Sequence, residues 1–310
     1  MAELLNCKPT QLLPMPNVTT GMNTVLRSWQ RQHPVVGPER MAHLSVAYGS
    51  TKKLLGAIAS ERGAVVDEVP VTFPLRDEEE VLDALSATLR QDTRLIVLDH
   101  IPSNAPFELP LEEAISICRD ASPEAFIIVD GAHSLFSIQL DLGKSTADAY
   151  LVNCHKWFCG PKGSALLHID ERHQEWLQPL VVSHGYSTGL GAFYWTGLGD
   201  YSSWLALDAA LEFWEAFGYS VARSYSCSLA VDAAERLARD WGTELGAPAE
   251  LFRTMSLVAL PEIPALGKGP YTYEHAELVQ NALFQEGIEV PVKALTGQLY
   301  IRLSAHIYTV

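Results

Sequence analysis

Four short apolar segments in the first half of the chain predict buried strands. They lie at residues 94–99, 125–130, 149–153 and 164–169. Because nearly every position in these segments is apolar, we expect each strand to belong to a sheet that is covered on both faces. Residues 111–119 carry apolar side chains at helical spacing and lie between the first two strands, which predicts a β–α–β unit. The pattern indicates a doubly wound, mostly parallel α/β domain.

The pattern changes to a longer period after residue 200. Apolar positions in residues 201–241 recur at helical spacing, which predicts long amphipathic helices. One face of these helices is marked by six apolar residues, namely Trp204, Leu205, Leu207, Ala210, Leu211 and Trp214. Farther along, residues 254–260 and 299–303 are typical of strands and residues 275–286 of a helix.

These changes predict a division of the chain into three parts. Residues 1–200 form a large domain, residues 201–241 form connecting helices, and residues 242–310 form a smaller C-terminal α+β domain. We expect the chemistry in the large domain, because the strand ends that carry reactive side chains lie there.

Composition and charge exclude several classes of function. The 310 residues are 48% hydrophobic and carry a formal net charge of −15, so we expect no binding to nucleic acid or to anionic membranes. No apolar stretch reaches the roughly 18 residues that a membrane span needs. The five cysteines are scattered without a CxxC pair, which favours a reducing compartment, the cytoplasm, and gives no metal site.

Opposite charges follow two neighbouring strands of the predicted sheet. Asp130 ends one strand, and Lys156 comes three residues after the end of the next. In open α/β sheets, ligands bind at the carboxyl ends of the strands, so the two side chains are expected at one binding edge. Taken alone, the pair is equally well explained as a structural ion pair.

The residues around this pair match the needs of pyridoxal 5′-phosphate (PLP). That cofactor requires an amine for its aldehyde, a carboxylate for its ring nitrogen, donors for its phosphate and a flat group over its ring. Lys156 is the candidate amine for a Schiff base, because burial lowers the pKa of a lysine and makes it nucleophilic. Asp130 is the candidate carboxylate, which would keep the ring nitrogen protonated.

Candidate phosphate donors come from two separate parts of the sequence. Asn153 and His155 follow a strand, and the hydroxyls of Thr19 and Thr20 precede a helical stretch at residues 22–29. The N-terminus of a helix favours an anion, so these groups together predict a phosphate site.

Two motifs at the predicted site carry a family resemblance. Residues 129–133, Val-Asp-Gly-Ala-His, and residues 155–163, His-Lys-Trp-Phe-Cys-Gly-Pro-Lys-Gly, resemble the class V aminotransferase family of PLP enzymes with the aspartate-aminotransferase fold. The most similar subgroup contains isopenicillin N epimerase-like proteins, plant cysteine desulfhydrases and fungal hercynylcysteine sulfoxide lyases. Further matching segments, in chain order, are residues 16–23, 48–49, 98–103, 182–186, 290–291 and 302–304.

The resemblance implies roles for three more residues. Tyr48 would stack on the cofactor ring, His133 would lie near the 3′ oxygen of that ring, and Arg302 would grip the α-carboxylate of an amino-acid substrate. Without the resemblance, Tyr48 is explained as a packing aromatic, His133 as a histidine in a turn, and Arg302 as a surface charge.

The sequence also departs from the family pattern. In residues 195–200 the family has a threonine that contacts the phosphate of the partner subunit in a homodimer, whereas this chain has Leu198, with Thr196 as a substitute donor. The family also has several tens of residues before the start of this sequence and a helix beyond its end. We therefore expect this sequence to be truncated at both ends.

The reaction predicted from these residues is a β-elimination that breaks a carbon–sulfur bond. A cysteine desulfurase needs a thiolate nucleophile shortly before the carboxylate-binding arginine, and no cysteine lies between residues 287 and 302. We therefore favour a C–S lyase acting on cysteine or a cysteine-derived amino acid. An amino-acid epimerase and an aminotransferase remain alternatives, because they share the same chemistry at Cα. A non-catalytic relative that keeps only the fold is a further alternative, of a different class.

Overall fold

A computed structural model describes residues 1–34 and 39–309, which contain a large and a small β-sheet. The large sheet has the order β1-β7-β6-β5-β4-β2-β3. Its strands are β1 (Leu12–Met15), β2 (Arg40–Leu44), β3 (Val65–Val69), β4 (Thr93–Asp99), β5 (Phe126–Asp130), β6 (Ala149–Asn153) and β7 (Ala165–Ile169).

Most of the large sheet is parallel. The neighbours β3, β2, β4, β5 and β6 pair in parallel, whereas β7 pairs antiparallel with β6 and with β1. The four strands predicted from apolar segments are β4 to β7, each within one residue of its predicted bounds. The prediction of a mostly parallel α/β fold is confirmed.

Helices cover both faces of this sheet, which explains why its central strands are apolar at nearly every position. Ile128 of β5 packs into a core with α1 (Val18–Gln32) and α2 (Gly49–Arg62). Its neighbours Ile127 and Val129 point to the opposite face and pack with α3 (Glu79–Thr88) and α4 (Leu111–Ala121). Successive side chains of a strand alternate between faces, so both sets are removed from water.

Helix α1 begins four residues earlier than predicted. The side chain of Asn17 accepts a hydrogen bond from the backbone N–H of Thr20 at 2.8 Å and caps the helix. Asparagine is among the preferred capping residues because its oxygen satisfies one of the free N–H groups of the first turn. Thr19 and Thr20 therefore lie inside the first turn and not before it, which corrects the prediction.

The helical region after residue 200 is confirmed, but its predicted apolar face is only partly buried. Leu207 and Trp214 are buried, whereas Leu205 is 75% exposed. Gly218, with a φ of +92°, separates two helices in a backbone conformation that favours glycine. The helices are α5 (Ser202–Leu205), α6 (Leu207–Phe217) and α7 (Tyr219–Trp241).

The small sheet is antiparallel and has the order β8-β10-β9. Both predicted strands of this region and its predicted helix are present, while β9 was not predicted. The predicted division of the chain at residues 200 and 241 stays a prediction. The elements are β8 (Met255–Ala259), α8 (Tyr273–Gln285), β9 (Val292–Leu295) and β10 (Gln298–Ser304).

No helix in residues 1–34 and 39–309 is both long enough and apolar enough to span a membrane.

Gly131 fixes the path of the chain directly after Asp130, and its replacement tests this packing. Its N–H donates to the carbonyl of Leu151 at 2.8 Å, and a Cβ here would lie 2.8 Å from that oxygen and against the ring of Tyr150. We predict that Gly131→Ala lowers the free energy of unfolding by about 1–3 kcal/mol in urea titration.

Gly56→Ala is the matched control, because a Cβ at that position in α2 has no neighbour within 4 Å. It should leave stability unchanged or raise it by about 0.5–1 kcal/mol. Equal stability of Gly131→Ala and the unsubstituted chain would contradict this account of the turn.

Candidate active site

A cavity of about 150 Å³ opens at the carboxyl ends of β4, β5 and β6, next to the start of α1. This is the edge at which the sequence placed the reactive side chains. Seven of the predicted site residues line it, namely Thr19, Tyr48, Asp130, His133, Asn153, His155 and Lys156.

Three predicted site residues lie outside this lining. Thr20 lies in the first turn of α1, where its backbone N–H donates to Asn17 and its carbonyl accepts from the hydroxyl of Thr24. Thr196 is exposed on the surface. Arg302 of β10 reaches the cavity through Ser103, since its Nη1 donates to the carbonyl of Ser103 at 2.7 Å and to its hydroxyl at 3.1 Å.

Lys156 is held in the cavity by a histidine. Its Nζ lies 2.9 Å from Nε2 of His133. Burial lowers the pKa of Lys156 to about 8, with a further decrease from the charge of Arg302, while Asp130 and Asp99 act in the opposite direction. Burial also holds the pKa of His133 well below its usual range. A lysine in this environment is available as a neutral amine near neutral pH.

Two carboxyl groups lie side by side on the floor of the cavity. Asp99 of β4 and Asp130 of β5 are partners in the parallel register. One oxygen of Asp130 accepts from the N–H of Ala132 at 3.1 Å, and one oxygen of Asp99 accepts from the N–H of Tyr48 at 3.3 Å. The second oxygen of Asp99, Oδ2, is buried and has no hydrogen-bond partner among the residues the structure describes.

This arrangement makes a buried negative charge unfavourable. Burial, and next the charge of Asp130, raise the pKa of Asp99 well above its usual range, and burial raises the pKa of Asp130 as well. A positively charged ligand atom between strands β4 and β5 would reverse both effects. The sequence analysis named Asp130 and missed Asp99. The same signal, a carboxylate at the end of a buried strand, identifies both.

The first turn of α1 forms another part of the cavity wall. Asn153 at the end of β6 accepts a hydrogen bond from the N–H of Val18 at 3.1 Å, which ties the helix start to the strand end. Thr19 is exposed in the same turn. The N–H groups of Val18 and Thr20 are already bonded to Asn153 and Asn17, so Thr19 supplies the backbone N–H that an anion at this helix N-terminus would contact.

His155 has less capacity to donate than the sequence suggested. Its Nδ1 lies 2.8 Å from the carbonyl of Ser164, which can only accept, so Nδ1 carries a proton. Burial lowers the pKa of the ring, and a neutral His155 then has no second N–H for a phosphate. Only the doubly protonated ring, which a bound anion favours, can act as the predicted donor.

Tyr48 completes the cavity from a third side. It precedes α2 and is 44% exposed, so one part of its ring faces the open volume. The site therefore combines a nucleophilic amine, a buried carboxyl pair, a helix N-terminus and an aromatic ring. It can bind a ligand that has an aldehyde, a cationic ring and an anionic group.

Comparison with known proteins places this site in a family. The sequence model described as aminotransferase class-V matches residues 1–290. L-cysteine desulfhydrase of Arabidopsis thaliana is 33% identical, and the match covers 79% of this chain and 56% of that protein. Isopenicillin N epimerase of Amycolatopsis lactamdurans is 29% identical, with 99% of this chain and 79% of that protein covered.

The solved structures that resemble this chain share its fold. A cystine C-S lyase, C-DES, in complex with its product cysteine persulfide has a TM-score of 0.80 at 22% identity, covering 100% of this chain and 80% of that one. A cysteine desulfurase from Thermococcus onnurineus has a TM-score of 0.79 at 17% identity, and the match covers 100% of this chain and 78% of that one.

The chain is shorter than its plant relatives. It spans between 47% and 66% of the lengths of four plant proteins named L-cysteine desulfhydrase. The match to the family model nevertheless extends over most of the chain and includes both motifs of the cavity, residues 129–133 and 155–163. This chain belongs to the class-V aminotransferase family.

Proposed function

We propose that this protein is a PLP-dependent C–S lyase that performs β-elimination on cysteine or a cysteine-derived amino acid. The observation that carries the proposal is the single cavity lined by both Lys156 and Asp130. The names of its plant relatives and of C-DES support the substrate class. The overall reaction with cysteine consumes one water and yields pyruvate, ammonia and hydrogen sulfide.

The residues of the cavity fit the cofactor. When bound, PLP forms a Schiff base with a lysine amine and withdraws electrons from the substrate Cα through its protonated ring. Lys156 supplies the amine, and Asp130 supplies the carboxylate for the ring nitrogen. The unpartnered oxygen of Asp99 and the raised pKa of both aspartates support this assignment, because a cationic ring nitrogen provides the counter-charge that this buried pair needs.

The phosphate group fits at the start of α1. Thr19 provides its hydroxyl and its backbone N–H beside Asn153, and His155 becomes a donor once it is doubly protonated. Tyr48 lines the cavity and would supply the aromatic ring that stacks on the cofactor, and His133 lies beside Lys156.

Lys156 also moves the proton at the substrate Cα. As a neutral amine it accepts this proton, and the electron pair of the Cα–H bond forms a double bond to Cβ while the sulfur leaves with the electrons of the Cβ–S bond. A pKa of about 8 leaves roughly one tenth of the amine neutral at pH 7 and about half of it neutral at pH 8. A base with a pKa near the working pH is the most effective for proton transfer.

Arg302 orients the substrate by binding its α-carboxylate. The Nε of Arg302 is buried and has no partner among the described residues, while its Nη1 is positioned by Ser103. A guanidinium group binds a carboxylate through two parallel hydrogen bonds, so this free donor fits the task.

Epimerisation at Cα is the second candidate reaction. The match to isopenicillin N epimerase covers more of both proteins than the match to the Arabidopsis desulfhydrase does. Both reactions begin when Lys156 removes the Cα proton. They differ in whether a sulfur group leaves Cβ or a proton returns to Cα, so the products distinguish them.

We also propose that the protein forms a homodimer. Exposed apolar side chains cluster in residues 180–205, and a second copy would remove them from water. Thr196 would reach the phosphate in the partner subunit, because Leu198, which is 89% exposed, has no donor. The exposed apolar residues are Leu180, Val181, Val182, Tyr186, Tyr194, Trp195, Leu198, Tyr201 and Leu205.

The cytoplasm or another reducing compartment is the environment that we propose for this protein. All five cysteines are free thiols, which supports a reducing environment. A disulfide found by mass spectrometry of the native protein would contradict this assignment.

The first test is turnover of L-cysteine by the PLP-loaded chain. We predict equal amounts of sulfide, pyruvate and ammonia, and a loss of at least about 100-fold in Lys156→Ala, because the acid–base group is removed. Lys162→Ala, which removes an exposed lysine of the same loop, is the control and should keep the wild-type rate. Exchange of the Cα proton for deuterium without release of sulfide would favour the epimerase instead.

The second test concerns substrate orientation by Arg302. Arg302→Lys keeps the charge and loses the paired donors, so KM for L-cysteine should rise about 10- to 100-fold, as expected for hydrogen bonds to a charged group worth ~1.5–3 kcal/mol. PLP binding, measured by its absorbance, should not change. The same substitution at the exposed Arg236 is the control. An unchanged KM in Arg302→Lys would refute the assignment.

The third test is the oligomeric state of the PLP-loaded protein by sedimentation equilibrium. We expect a dimer, and we expect Val182→Glu to weaken it by at least about 10-fold, because a charge would be buried in an apolar interface. Leu278→Glu places the same charge on exposed α8, away from the proposed interface, and should have no effect. A monomer of the unsubstituted protein would contradict the proposal.

A further inference from the structure

Trp157 makes a contact that none of the roles described so far explains. It follows Lys156 in the chain, and its indole Nε1 donates a hydrogen bond to Nδ1 of His133 at 3.1 Å. On the other side of the same ring, Nε2 of His133 lies 2.9 Å from Nζ of Lys156. The three side chains therefore form a line in which His133 lies between two nitrogen atoms.

The chemistry of these groups fixes the proton on His133. An indole nitrogen can only donate, so Nδ1 of His133 must accept and carries no proton. His133 is buried, and burial together with the charges of Lys156 and Arg302 keeps its pKa far below the usual value, so the ring is neutral. The single ring proton is therefore on Nε2, directed at Lys156.

A donor at Nε2 determines the state of the lysine. A protonated amine has no lone pair to accept this proton, whereas a neutral amine has one. The hydrogen bond from Trp157 to His133 therefore favours the neutral amine form of Lys156, because it leaves the His133 proton on Nε2. The alternative tautomer of His133, with its proton on Nδ1, would accept from a charged lysine and favour the ammonium form, but it would place two N–H groups against each other at Trp157.

We infer that Trp157 is a positioning residue that holds His133 in its Nε2–H tautomer and thereby favours the neutral amine form of Lys156. The tautomer follows from the contacts alone. Its use, to keep Lys156 ready to bond and to accept a proton, rests on the proposed function.

The charges around Lys156 explain why one hydrogen bond from His133 can change the protonation of this lysine. Asp130 on β5 and Asp99 on β4 favour the ammonium form, whereas burial and Arg302 on β10 favour the amine. These influences oppose one another, so a single hydrogen bond whose direction is fixed can move the balance.

Trp157 is anchored independently of His133, which makes its N–H group separable from its packing. Its carbonyl accepts from Nε2 of His306 at 2.8 Å, and its ring stacks on His306 with centroids 6.0 Å apart and an angle of 7° between the planes. Trp157→Phe keeps an aromatic ring and the backbone contact while it removes the indole N–H.

The tautomer is measured first, on the unsubstituted full chain freed of PLP. Nitrogen-15 NMR of the histidine rings at pH 7 distinguishes the two tautomers, and His133→Gln identifies the signal. We expect the Nε2–H form for His133. The Nδ1–H form, or a doubly protonated ring, would overturn the inference without any variant being needed, and turnover has no part in this readout.

The consequence for Lys156 is measured in Trp157→Phe. The reaction of Lys156 with acetic anhydride is followed as a function of pH by mass spectrometry of the Lys156 peptide. Its midpoint should lie near 8 in the unsubstituted chain and about one pH unit higher in the variant. The His133 signal should shift toward the Nδ1–H form.

Trp204→Phe is the matched control, because the Trp204 indole also donates at 3.1 Å, to the carbonyl of Met15. It should leave the tautomer and the midpoint unchanged. If Trp157→Phe retains the unsubstituted tautomer and midpoint, Trp157 has only a packing role and the inference fails. Turnover that fails while the tautomer holds would instead count against the proposed function.

Discussion

Two buried carboxyl groups, Asp99 and Asp130, lie next to each other at the ends of β4 and β5, and the remainder of the site depends on how their charge is compensated. The parallel register of the two strands imposes this proximity. Like charges in a buried setting are unfavourable, so the pair requires a cation or a shared proton. Lys156 is too strongly desolvated to supply the full charge, because its own pKa is lowered to about 8. The cavity is consequently suited to a ligand with a cationic ring.

The same constraint explains the placement of the other elements. The ends of β4, β5 and β6 lie at one sheet edge, where Asn153 fastens the first turn of α1. The N-terminus of α1 and the carboxyl pair therefore line the same cavity. A ligand that carries both a cationic and an anionic group can contact both, and Arg302 reaches the cavity from the small sheet through Ser103. The class-V aminotransferase family uses this fold as its framework.

Much of this arrangement could be predicted from the sequence, because its strongest signals are local. Near-continuous apolar segments identify β4 to β7, and the residues after their ends include Lys156 and His133. The start of α1 was wrong by four residues, since a single capping side chain, Asn17, decides it. Strand β9 was missed because it is short and has only one fully buried residue.

Contacts between distant residues could not be derived from the sequence. The unpartnered oxygen of Asp99 and the bond from Arg302 to Ser103 depend on tertiary packing. The limited donor capacity of His155 depends on its contact with Ser164, nine residues away. The contact from Trp157 to His133 likewise bridges two strand ends, and no periodicity in the sequence reveals it.

The proposed function requires that Lys156 bonds covalently to PLP within this cavity. The most direct measurement is reduction of the PLP-loaded protein with borohydride, followed by proteolysis and mass spectrometry to locate the phosphopyridoxyl group. We predict that this group is found on Lys156 alone. Its appearance on a different lysine, or its absence from the reduced protein, would contradict the account.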